Sequence, residues 1–236
     1  MDSLSNTVVE KKVIGLEEHV TLLSQNSIFG HCLSILRDKK CSGRDKRNAV
    51  RFLFPHIAMM ALAKLKTQPK EIDTGVAMTT VYEVIQEIVV VEILRAGNTP
   101  AHAIVTALDL VSGLKVHVST MWEKRNEESL IPTMLCKDIP IVKGGMYLII
   151  DPMKSTGGSM DEALTAIFEL LKANGVAWQS CDFATVTLME TPRAVLRTYK
   201  HVTEPKQFSA VLDGGPNQVG FIVPGGGDLG DELVKP

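Results

Sequence analysis

Residues 147–173 read YLIIDPMKSTGGSMDEALTAIFELLKA, and this stretch decides the fold. The apolar run at 147–150 predicts a strand that is covered on both of its faces. A glycine-rich loop follows, and residues 160–173 place apolar side chains at helical spacing before Gly175 ends the helix. A buried strand that passes through a short loop into a helix is the repeating unit of α/β proteins.

Similar segments lie on both sides of this unit. Residues 88–94, IVVVEIL, form another continuous apolar run. The pattern predicts helices at 99–113 and 191–199, and further strands at 114–120, 183–189 and 208–212. This alternation predicts an α/β fold, with a mainly parallel twisted sheet flanked by helices. Ligands of such sheets bind beyond the carboxyl ends of the strands.

The chain before residue 88 follows another pattern. Residues 48–65 carry apolar side chains at helical spacing, and we expect Pro55 to kink this helix. Residues 70–82 are polar, and the turn signal at Thr74 and Gly75 predicts a hairpin or a loop. We therefore expect a single domain, 1–236, made of an N-terminal helical arm, an α/β core and a C-terminal segment that forms part of a small hood, at 1–66, 84–212 and 213–236.

The composition excludes several function classes. With 236 residues and a net charge of −2, the chain has no long-range attraction for nucleic acid or for an anionic membrane. No apolar run approaches the ~18 residues of a membrane span, and the N-terminus lacks the features of a signal peptide, so we expect a cytoplasmic protein. The cysteines lie far apart and predict reduced thiols rather than a disulfide framework or zinc site.

The loop at 151–159 carries the chemistry. Thr156, Gly157, Gly158 and Ser159 would present backbone N–H groups at a helix N-terminus, where the helix dipole also favours an anion. Glycine lets a phosphate approach the backbone closely. Asp151 begins the loop, where its carboxylate can accept hydrogen bonds from sugar hydroxyls. The loop is therefore interpreted as a clamp for a ribose phosphate, and the alternative is an ordinary helix cap.

This loop resembles the phosphoribosyl pyrophosphate motif of type I phosphoribosyltransferases. Its single acid followed by Pro152 and Met153 is similar to uracil phosphoribosyltransferases, because most other relatives have two adjacent acids. Other segments resemble the same family in the same order along the chain, from Leu36 to Asp231: LRDK at 36–39, ILRAG at 93–97, RNEES at 125–129 and GFIVPGGGDLGD at 220–231.

The resemblance implies that the chain transfers ribose 5-phosphate from phosphoribosyl pyrophosphate to uracil, giving UMP and pyrophosphate for pyrimidine salvage. It implies catalytic roles for Arg95, Arg125, Asp151 and Asp228. The implied phosphoribosyl pyrophosphate site consists of Arg37, Lys39, Arg95, Ala96, Gly97, Arg125, Asp151, Pro152, Met153, Lys154, Ser155, Thr156, Gly157, Gly158 and Ser159. The implied uracil site consists of Phe221, Ile222, Gly227, Asp228 and Leu229.

The resemblance also implies cofactors and partners. Mg²⁺ would be held by substrate oxygens and water, with no direct protein ligand. A homodimer or a higher homo-oligomer is expected, as is nucleotide binding that includes GTP. The reaction must be shielded from water, and the segment 70–82 is our candidate for a mobile cover.

The chain departs from the family pattern at several positions. Glu92 stands where proline is common, residues 98–100 read Asn-Thr-Pro, Lys154 and Ser155 replace a small apolar pair, Phe221 replaces a tyrosine, and the C-terminal tail differs. The alternative function is therefore a catalytically degenerate phosphoribosyltransferase-like protein that binds nucleotides or a partner. A pyrimidine-sensing RNA-binding protein would need a basic face, which the net charge does not favour.

Overall fold

The structure is a computed structural model, and it describes residues 20–22, 27–125, 132–136, 138–201 and 206–234. Strand β1 (Thr21–Leu22) precedes two helices, α1 (Ser27–Arg37) and α2 (Gly43–Leu62). Ser42 caps α2 by accepting a hydrogen bond from the Asp45 N–H, and the helix continues through Pro55. The predicted helix at 48–65 is thus present but begins and ends earlier than expected.

The polar segment that follows is a hairpin. Strands β2 (Thr67–Asp73) and β3 (Met78–Val84) pair antiparallel in a sheet of their own. Nearly all of their side chains are exposed. Of the two conformations that the sequence allowed at 70–82, the structure has the hairpin.

The rest of the described chain alternates strands and helices, as predicted. In chain order the elements are β4 (Ile88–Leu94), α3 (Asn98–Asp109), β5 (Val116–Arg125), β6 (Pro132–Cys136), β7 (Met146–Ile150), β8 (Met153–Lys154), α4 (Gly158–Ala173), β9 (Asp182–Glu190), α5 (Pro192–Tyr199), β10 (Gln207–Leu212), β11 (Gly215–Pro216), β12 (Ile222–Val223) and α6 (Leu229–Val234).

The central sheet has eight strands, in the order β1-β10-β9-β7-β4-β5-β6, with β8 also pairing β9. The β5–β6 pair is antiparallel and the other pairs are parallel, so the expected α/β fold with a mainly parallel sheet is confirmed. Strand β4 connects through α3 to β5 on one side, whereas β7 lies on its other side and leads away through α4 to β9. The strand order therefore reverses between β4 and β7, although the two strands are parallel, and this is the point at which such sheets open a crevice for ligands.

Helices cover both faces of the sheet. The alternation along β4 turns Ile88 and Val90 toward a cluster that includes α1, α2 and α3, and turns Val89 and Val91 toward a second cluster with α4. The predicted arm helices therefore share one apolar core with the sheet. Among the described residues, no helix has the length and apolar character needed to cross a membrane.

Candidate active site

A cleft of about 590 Å³ opens at the carboxyl ends of β4 and β7. It joins the loops that follow these two neighbouring strands to the segment around residue 220 and to the start of α6. Its lining contains Ile93, Leu94, Arg95, Ala96, Asp151, Met153, Ser155, Thr156, Gly158, Ser159, Arg197, Val219, Gly220, Phe221, Ile222, Gly227, Asp228, Leu229 and Gly230.

The glycine-rich loop is shaped by its contact with α5. Gly157 has φ +75°, and a Cβ there would lie 3.1 Å from the Ala194 backbone. Thr191 joins the two elements, because its hydroxyl donates to the Ser155 carbonyl at 2.6 Å and accepts from the Ala194 N–H at 3.2 Å. Gly158 begins α4 and faces the cleft, so the first amides of a 16-residue helix lie at its wall.

Asp151 lies between the two phosphate-binding segments that the sequence predicts. It follows β7 directly, its Oδ1 accepts from the Met153 N–H at 3.3 Å, and its side chain lines the cleft. Because β4 and β7 pair in parallel with Glu92 opposite Ile150, Asp151 and the turn at 95–97 emerge side by side. A sugar that reaches from one segment to the other would pass over the Asp151 carboxylate.

The turn at 95–97 packs tightly against the sheet. A Cβ on Gly97 would lie 2.7 Å from the backbone N and O of Ile93 and 2.8 Å from the Ile150 carbonyl oxygen, so only glycine fits. Gly97 is buried behind the cleft wall, whereas Arg95 lies on it, with 73% of its side chain exposed and Nη2 3.2 Å from Asp231 Oδ1. The peptide bond between Leu94 and Arg95 is cis.

Two of the departures from the family pattern support each other beneath this turn. The carboxylate of Glu92 is buried and accepts hydrogen bonds from Asn98 Nδ2 at 3.2 Å and Thr120 Oγ1 at 2.7 Å. The buried acid is thus satisfied by partners on α3 and β5. Asn98, another departure, is the partner on α3, so the two departures are in direct contact.

The far end of the cleft is formed by the segment that resembles a uracil-binding loop. Ile222 and Leu229 bury their side chains and Phe221 leaves 43% of its surface exposed. Gly227 and Asp228 are exposed on the same wall. This segment is also tied to the glycine-rich loop, since the Ser155 hydroxyl donates to the Gly220 carbonyl at 2.6 Å.

Several predicted phosphate ligands do not reach the cleft. Lys154 is 1% exposed, pairs with Glu190 Oε2 at 2.5 Å and donates to Gln207 Oε1 at 2.7 Å, so its ammonium cannot contact a phosphate. Arg37 hydrogen-bonds Asp213, and the exposed Lys39 is not part of the lining. Pro152 is buried behind the wall. Position 125 is the last residue of β5. The side chain of Arg125, whose phosphate contact the sequence predicts, and residues 126–131 lie outside what the structure describes.

Arg197 is a charged residue of the cleft wall that the sequence analysis missed. Arg197, in the last turn of α5, points its guanidinium at the glycine-rich loop, and a Cβ on Gly158 would lie 3.6 Å from its Nη1. Its Nε donates to Asp161 Oδ2 at 2.7 Å, and His201 Nε2 lies 2.5 Å from Asp161 Oδ1. Burial opposes ionisation of Asp161, but the hydrogen bonds from Arg197 and His201 outweigh it and hold the pKa of this carboxyl below its usual value. No motif marked these residues.

Carboxylates in the cleft bear on metal binding. Asp151 and Asp228 both lie on its wall. Over the described part of the chain, no three His, Cys, Asp or Glu side chains are grouped so that they could hold a metal ion. Two carboxylates on an open wall suit an ion that is held by substrate oxygens and water, the manner in which Mg²⁺ is usually bound beside phosphates.

The chain is similar to uracil phosphoribosyltransferases over nearly its whole length. A family model described as uracil phosphoribosyltransferase matches residues 23–234. The uracil phosphoribosyltransferase of Acholeplasma laidlawii is 32% identical over 208 residues, which cover 87% of this chain and 93% of the relative. That of Lactococcus lactis subsp. lactis is 33% identical over 211 residues, 89% of this chain and 95% of the relative.

A solved structure agrees with the fold. The AQ2163 protein from Aquifex aeolicus superimposes with a TM-score of 0.76 at 26% identity, covering 91% of this chain and 97% of the other. The expected type I phosphoribosyltransferase fold is confirmed by the mainly parallel sheet together with the family match. Since the matching region contains every motif from Leu36 to Asp231, this chain belongs to the uracil phosphoribosyltransferase family.

Proposed function

We propose that this chain transfers ribose 5-phosphate from phosphoribosyl pyrophosphate to uracil, giving UMP and pyrophosphate. The observation that carries the proposal is the single cleft in which the glycine-rich loop, Asp151, the turn at 95–97 and the loop around residue 222 meet. Each of these parts suits one portion of the two substrates. Membership of the family supports the assignment.

The phosphoribosyl half would lie over the loop at 156–159. Its 5-phosphate would accept hydrogen bonds from the amides at the start of α4, where the helix dipole also favours an anion. The ribose hydroxyls would donate to Asp151, which directly follows β7, the strand before this loop. A ring held at both ends cannot rotate away from the incoming base, and such positioning supplies much of the rate enhancement in group transfer.

The pyrophosphate would lie beside the turn at 95–97. Arg95 is exposed on the cleft wall, and its pairing with Asp231 is of the surface type that a doubly charged ligand can displace. Backbone groups of Ala96, which lines the cleft, would add directional contacts, whereas the N–H and the carbonyl of the buried Gly97 are hydrogen-bonded to Ile93 and Ala101. The family resemblance adds Arg125 to this set.

Uracil would lie at the far end, against residues 221–229. By resemblance, Ile222 and Gly227 would recognise the pyrimidine edge through main-chain atoms, and the buried side chains of Ile222 and Leu229 fix that backbone in place. Phe221 offers an exposed aromatic face on which a planar base can stack. Asp228 would lie near the base and metal-bound water.

In the reaction, the bond from ribose C1′ to pyrophosphate lengthens, positive charge grows on the ring, and uracil N1 attacks from the opposite face. The chain's task is to orient the two substrates and to stabilise charge as it develops. Asp151 offers a carboxylate beside the ring, and Arg95 counters the charge on the leaving group. When bound, Mg²⁺ would neutralise pyrophosphate oxygens, held by those oxygens and by water near Asp151 and Asp228.

The remaining parts of the proposal follow from the family and from the charge. We propose that the protein is cytoplasmic, forms a homodimer or a higher homo-oligomer, binds GTP, and has no nucleic-acid or membrane partner. The segment 70–82, the expected mobile cover, lies in the hairpin β2–β3, which leads into the amino end of β4, whereas the cleft opens at the carboxyl ends of β4 and β7, so we do not assign the hairpin to the cleft.

A panel of bases tests the proposal. The purified chain is incubated with phosphoribosyl pyrophosphate, Mg²⁺ and either uracil, cytosine, orotate or hypoxanthine, and nucleotide and pyrophosphate are measured. We expect product with uracil and little with the others. Turnover of hypoxanthine alone would assign a purine enzyme, and binding of phosphoribosyl pyrophosphate without turnover of any base would favour the degenerate alternative.

A further inference from the structure

Arg197 is the one basic side chain on the cleft wall beside the glycine-rich loop within the residues the structure describes. It lines the cleft together with Thr156, Gly158 and Ser159. Its side chain is 38% exposed, and a methyl group built on Gly158 would lie 3.6 Å from Nη1 and 4.0 Å from Cζ. The guanidinium therefore lies over the first turn of α4, on the side from which a phosphate would approach.

The orientation of Arg197 is fixed from behind. Asp161, one turn into α4, accepts from Nε at 2.7 Å, and its other oxygen contacts His201 Nε2 at 2.5 Å. Only one edge of the guanidinium is used in this way. The four N–H groups on Nη1 and Nη2 have no hydrogen-bond partner in the described ranges, and a guanidinium presents such donors in a rigid fork.

A purely structural ion pair between α4 and α5 is the simpler explanation of this contact. That explanation accounts for Nε but not for Nη1, which lies 3.6 Å from the position of a Cβ on Gly158 at the cleft wall. Within the loop at 151–159, the basic residue is Lys154, which is buried against Glu190 and cannot supply a cation to the cleft. A forked donor beside the amides of a helix N-terminus is a usual arrangement for a phosphate group.

We propose that Arg197 is a direct ligand of the 5-phosphate of the phosphoribosyl substrate, and that Asp161 and His201 are positioning residues that hold its guanidinium over Gly158. This inference rests on the proposed function, and it assigns to the substrate site a cation supplied from α5 rather than from the glycine-rich loop. It also predicts a specificity: the site should discriminate strongly between ligands with a 5-phosphate and those without one.

The test compares Arg197→Ala, Arg197→Lys and Asp161→Asn with Arg193→Ala, a matched control that removes an exposed arginine from the same helix, away from the cleft. Calorimetry measures binding of ribose 5-phosphate, UMP and uridine, and steady-state kinetics measures KM for phosphoribosyl pyrophosphate and for uracil. Thermal unfolding of each variant establishes that it is folded.

We expect Arg197→Ala to weaken the binding of ribose 5-phosphate and of UMP by on the order of 10- to 100-fold, and to raise KM for phosphoribosyl pyrophosphate by a similar factor. Binding of uridine and KM for uracil should change little. A general loss of structure would change both of these quantities as well. Arg197→Lys should be intermediate because it keeps the charge without the fork. Asp161→Asn should raise the same KM several-fold with kcat nearly unchanged, and Arg193→Ala should resemble the wild type.

The two proposals fail in different ways. If the wild type converts uracil to UMP while Arg197→Ala binds ribose 5-phosphate as tightly as the wild type, the role of Arg197 is overturned and the proposed function stands. If the wild type converts no base but binds ribose 5-phosphate in a manner that depends on Arg197, the proposed function falls and the phosphate ligand stands. Equal losses for UMP and uridine would also overturn the assignment, since the effect would not depend on the phosphate.

Discussion

The guanidinium of Arg37 binds the carboxylate of Asp213 through two hydrogen bonds, Nη2 to Oδ1 at 2.8 Å and Nη1 to Oδ2 at 3.1 Å. The two residues are 176 positions apart in the sequence. Arg37 Nη1 also donates to the Gly225 carbonyl at 3.1 Å, and Asp213 Oδ2 accepts from the Gly225 N–H at 3.0 Å. The end of α1 therefore fixes the loop that we assign to uracil.

This contact predicts that Arg37 acts on uracil and not on phosphoribosyl pyrophosphate. Arg37→Lys keeps the charge but loses the two-pronged geometry, so the loop at 224–228 should loosen. We expect KM for uracil to rise about tenfold, equivalent to ~1.4 kcal/mol, with KM for phosphoribosyl pyrophosphate nearly unchanged. Lys40→Met, an exposed neighbour, is the control. A larger effect on phosphoribosyl pyrophosphate than on uracil would return Arg37 to the phosphate site.

The turn at 95–97 should tolerate no side chain at Gly97. A Cβ there meets three backbone atoms of Ile93 and Ile150 within 2.8 Å, and backbone cannot move aside as a flexible side chain can. We expect Gly97→Ala to destabilise the fold by more than about 2 kcal/mol in urea denaturation.

Gly30 provides the matched control for this substitution. It lies inside α1, and a Cβ there has nothing within 4 Å, so Gly30→Ala should stabilise the protein by up to ~1 kcal/mol through helix propensity. Equal effects of the two substitutions would show that the turn is more adaptable than its geometry indicates.

The predictability of each feature follows the range of the interactions behind it. The strands at 88–94 and 147–150 were found because a strand buried on both faces needs a continuous apolar run, which is a local property. The loop at 156–159 was found for the same reason, since glycine and hydroxyl residues before a helix are adjacent in the sequence. The hairpin β2–β3 stayed open because polar strands with exposed faces carry a weak periodic signal.

Contacts between distant elements could not be read from the sequence. Lys154 was assigned to phosphate because it lies inside the motif, but its partner Glu190 is brought beside it only by the pairing of β8 with β9. Arg197 was missed because it lies near Gly158 only in the folded structure, where α5 packs beside the glycine-rich loop. Family motifs mark positions that relatives share, and these contacts involve positions outside them.

Substitutions at Asp151 and at Gly158, in the loop at 151–159, should each lower activity. Asp151→Asn should lower kcat/KM by at least ~100-fold, because the amide cannot accept from the ribose hydroxyls at both positions or offset the growing charge. Asp109→Asn, at the exposed end of α3, is the control. Gly158→Val should raise KM for phosphoribosyl pyrophosphate strongly, whereas Gly158→Ala should be milder because its methyl group makes only 3.6 Å contacts.

Both strong variants should retain the thermal unfolding midpoint of the wild type within a few degrees, since Asp151 and Gly158 face the cleft rather than the core. A folded Asp151→Asn or Gly158→Val enzyme with unchanged kcat/KM would remove the loop from the site.

Stability should depend on acid pH through Asp182. Burial alone would raise the pKa of this carboxyl, but hydrogen bonds from Gln86 and Lys66 and the charges of Lys66 and Lys206 lower it below the usual value. A group whose pKa is lower in the folded state stabilises the fold above its unfolded pKa, about 3.9 for aspartate. That contribution is lost as the pH falls through the folded pKa.

The Asp182→Asn variant isolates this contribution. At pH 7 it should be less stable than the wild type, and the difference in the free energy of unfolding should shrink as the pH is lowered from about 5 to about 3. Urea denaturation at a series of pH values measures it. A difference that stays constant over this range would mean that Asp182 acts through packing and not through its charge.

The buried pair of Lys154 and Glu190 gives a prediction that the effects of two substitutions on stability are not additive. Their side chains are 1% and 0% exposed, so each charge has lost its hydration and depends on the other. Removing one partner leaves an uncompensated buried charge, and we expect Lys154→Met or Glu190→Leu alone to cost ~3–5 kcal/mol. Replacing both by apolar side chains of similar size removes the buried charges together.

A double-mutant cycle tests this by urea denaturation of the four proteins. The Lys154→Met/Glu190→Leu variant should be more stable than the sum of the single effects by about 1–3 kcal/mol. Full recovery is not expected, because Gln207 Oε1 also loses the donor that Lys154 supplies at 2.7 Å. The double variant should keep KM for phosphoribosyl pyrophosphate, since neither side chain reaches the cleft. Additive single effects would mean that the two charges do not stabilise each other. A raised KM for phosphoribosyl pyrophosphate in a stable double variant would restore Lys154 as a phosphate ligand.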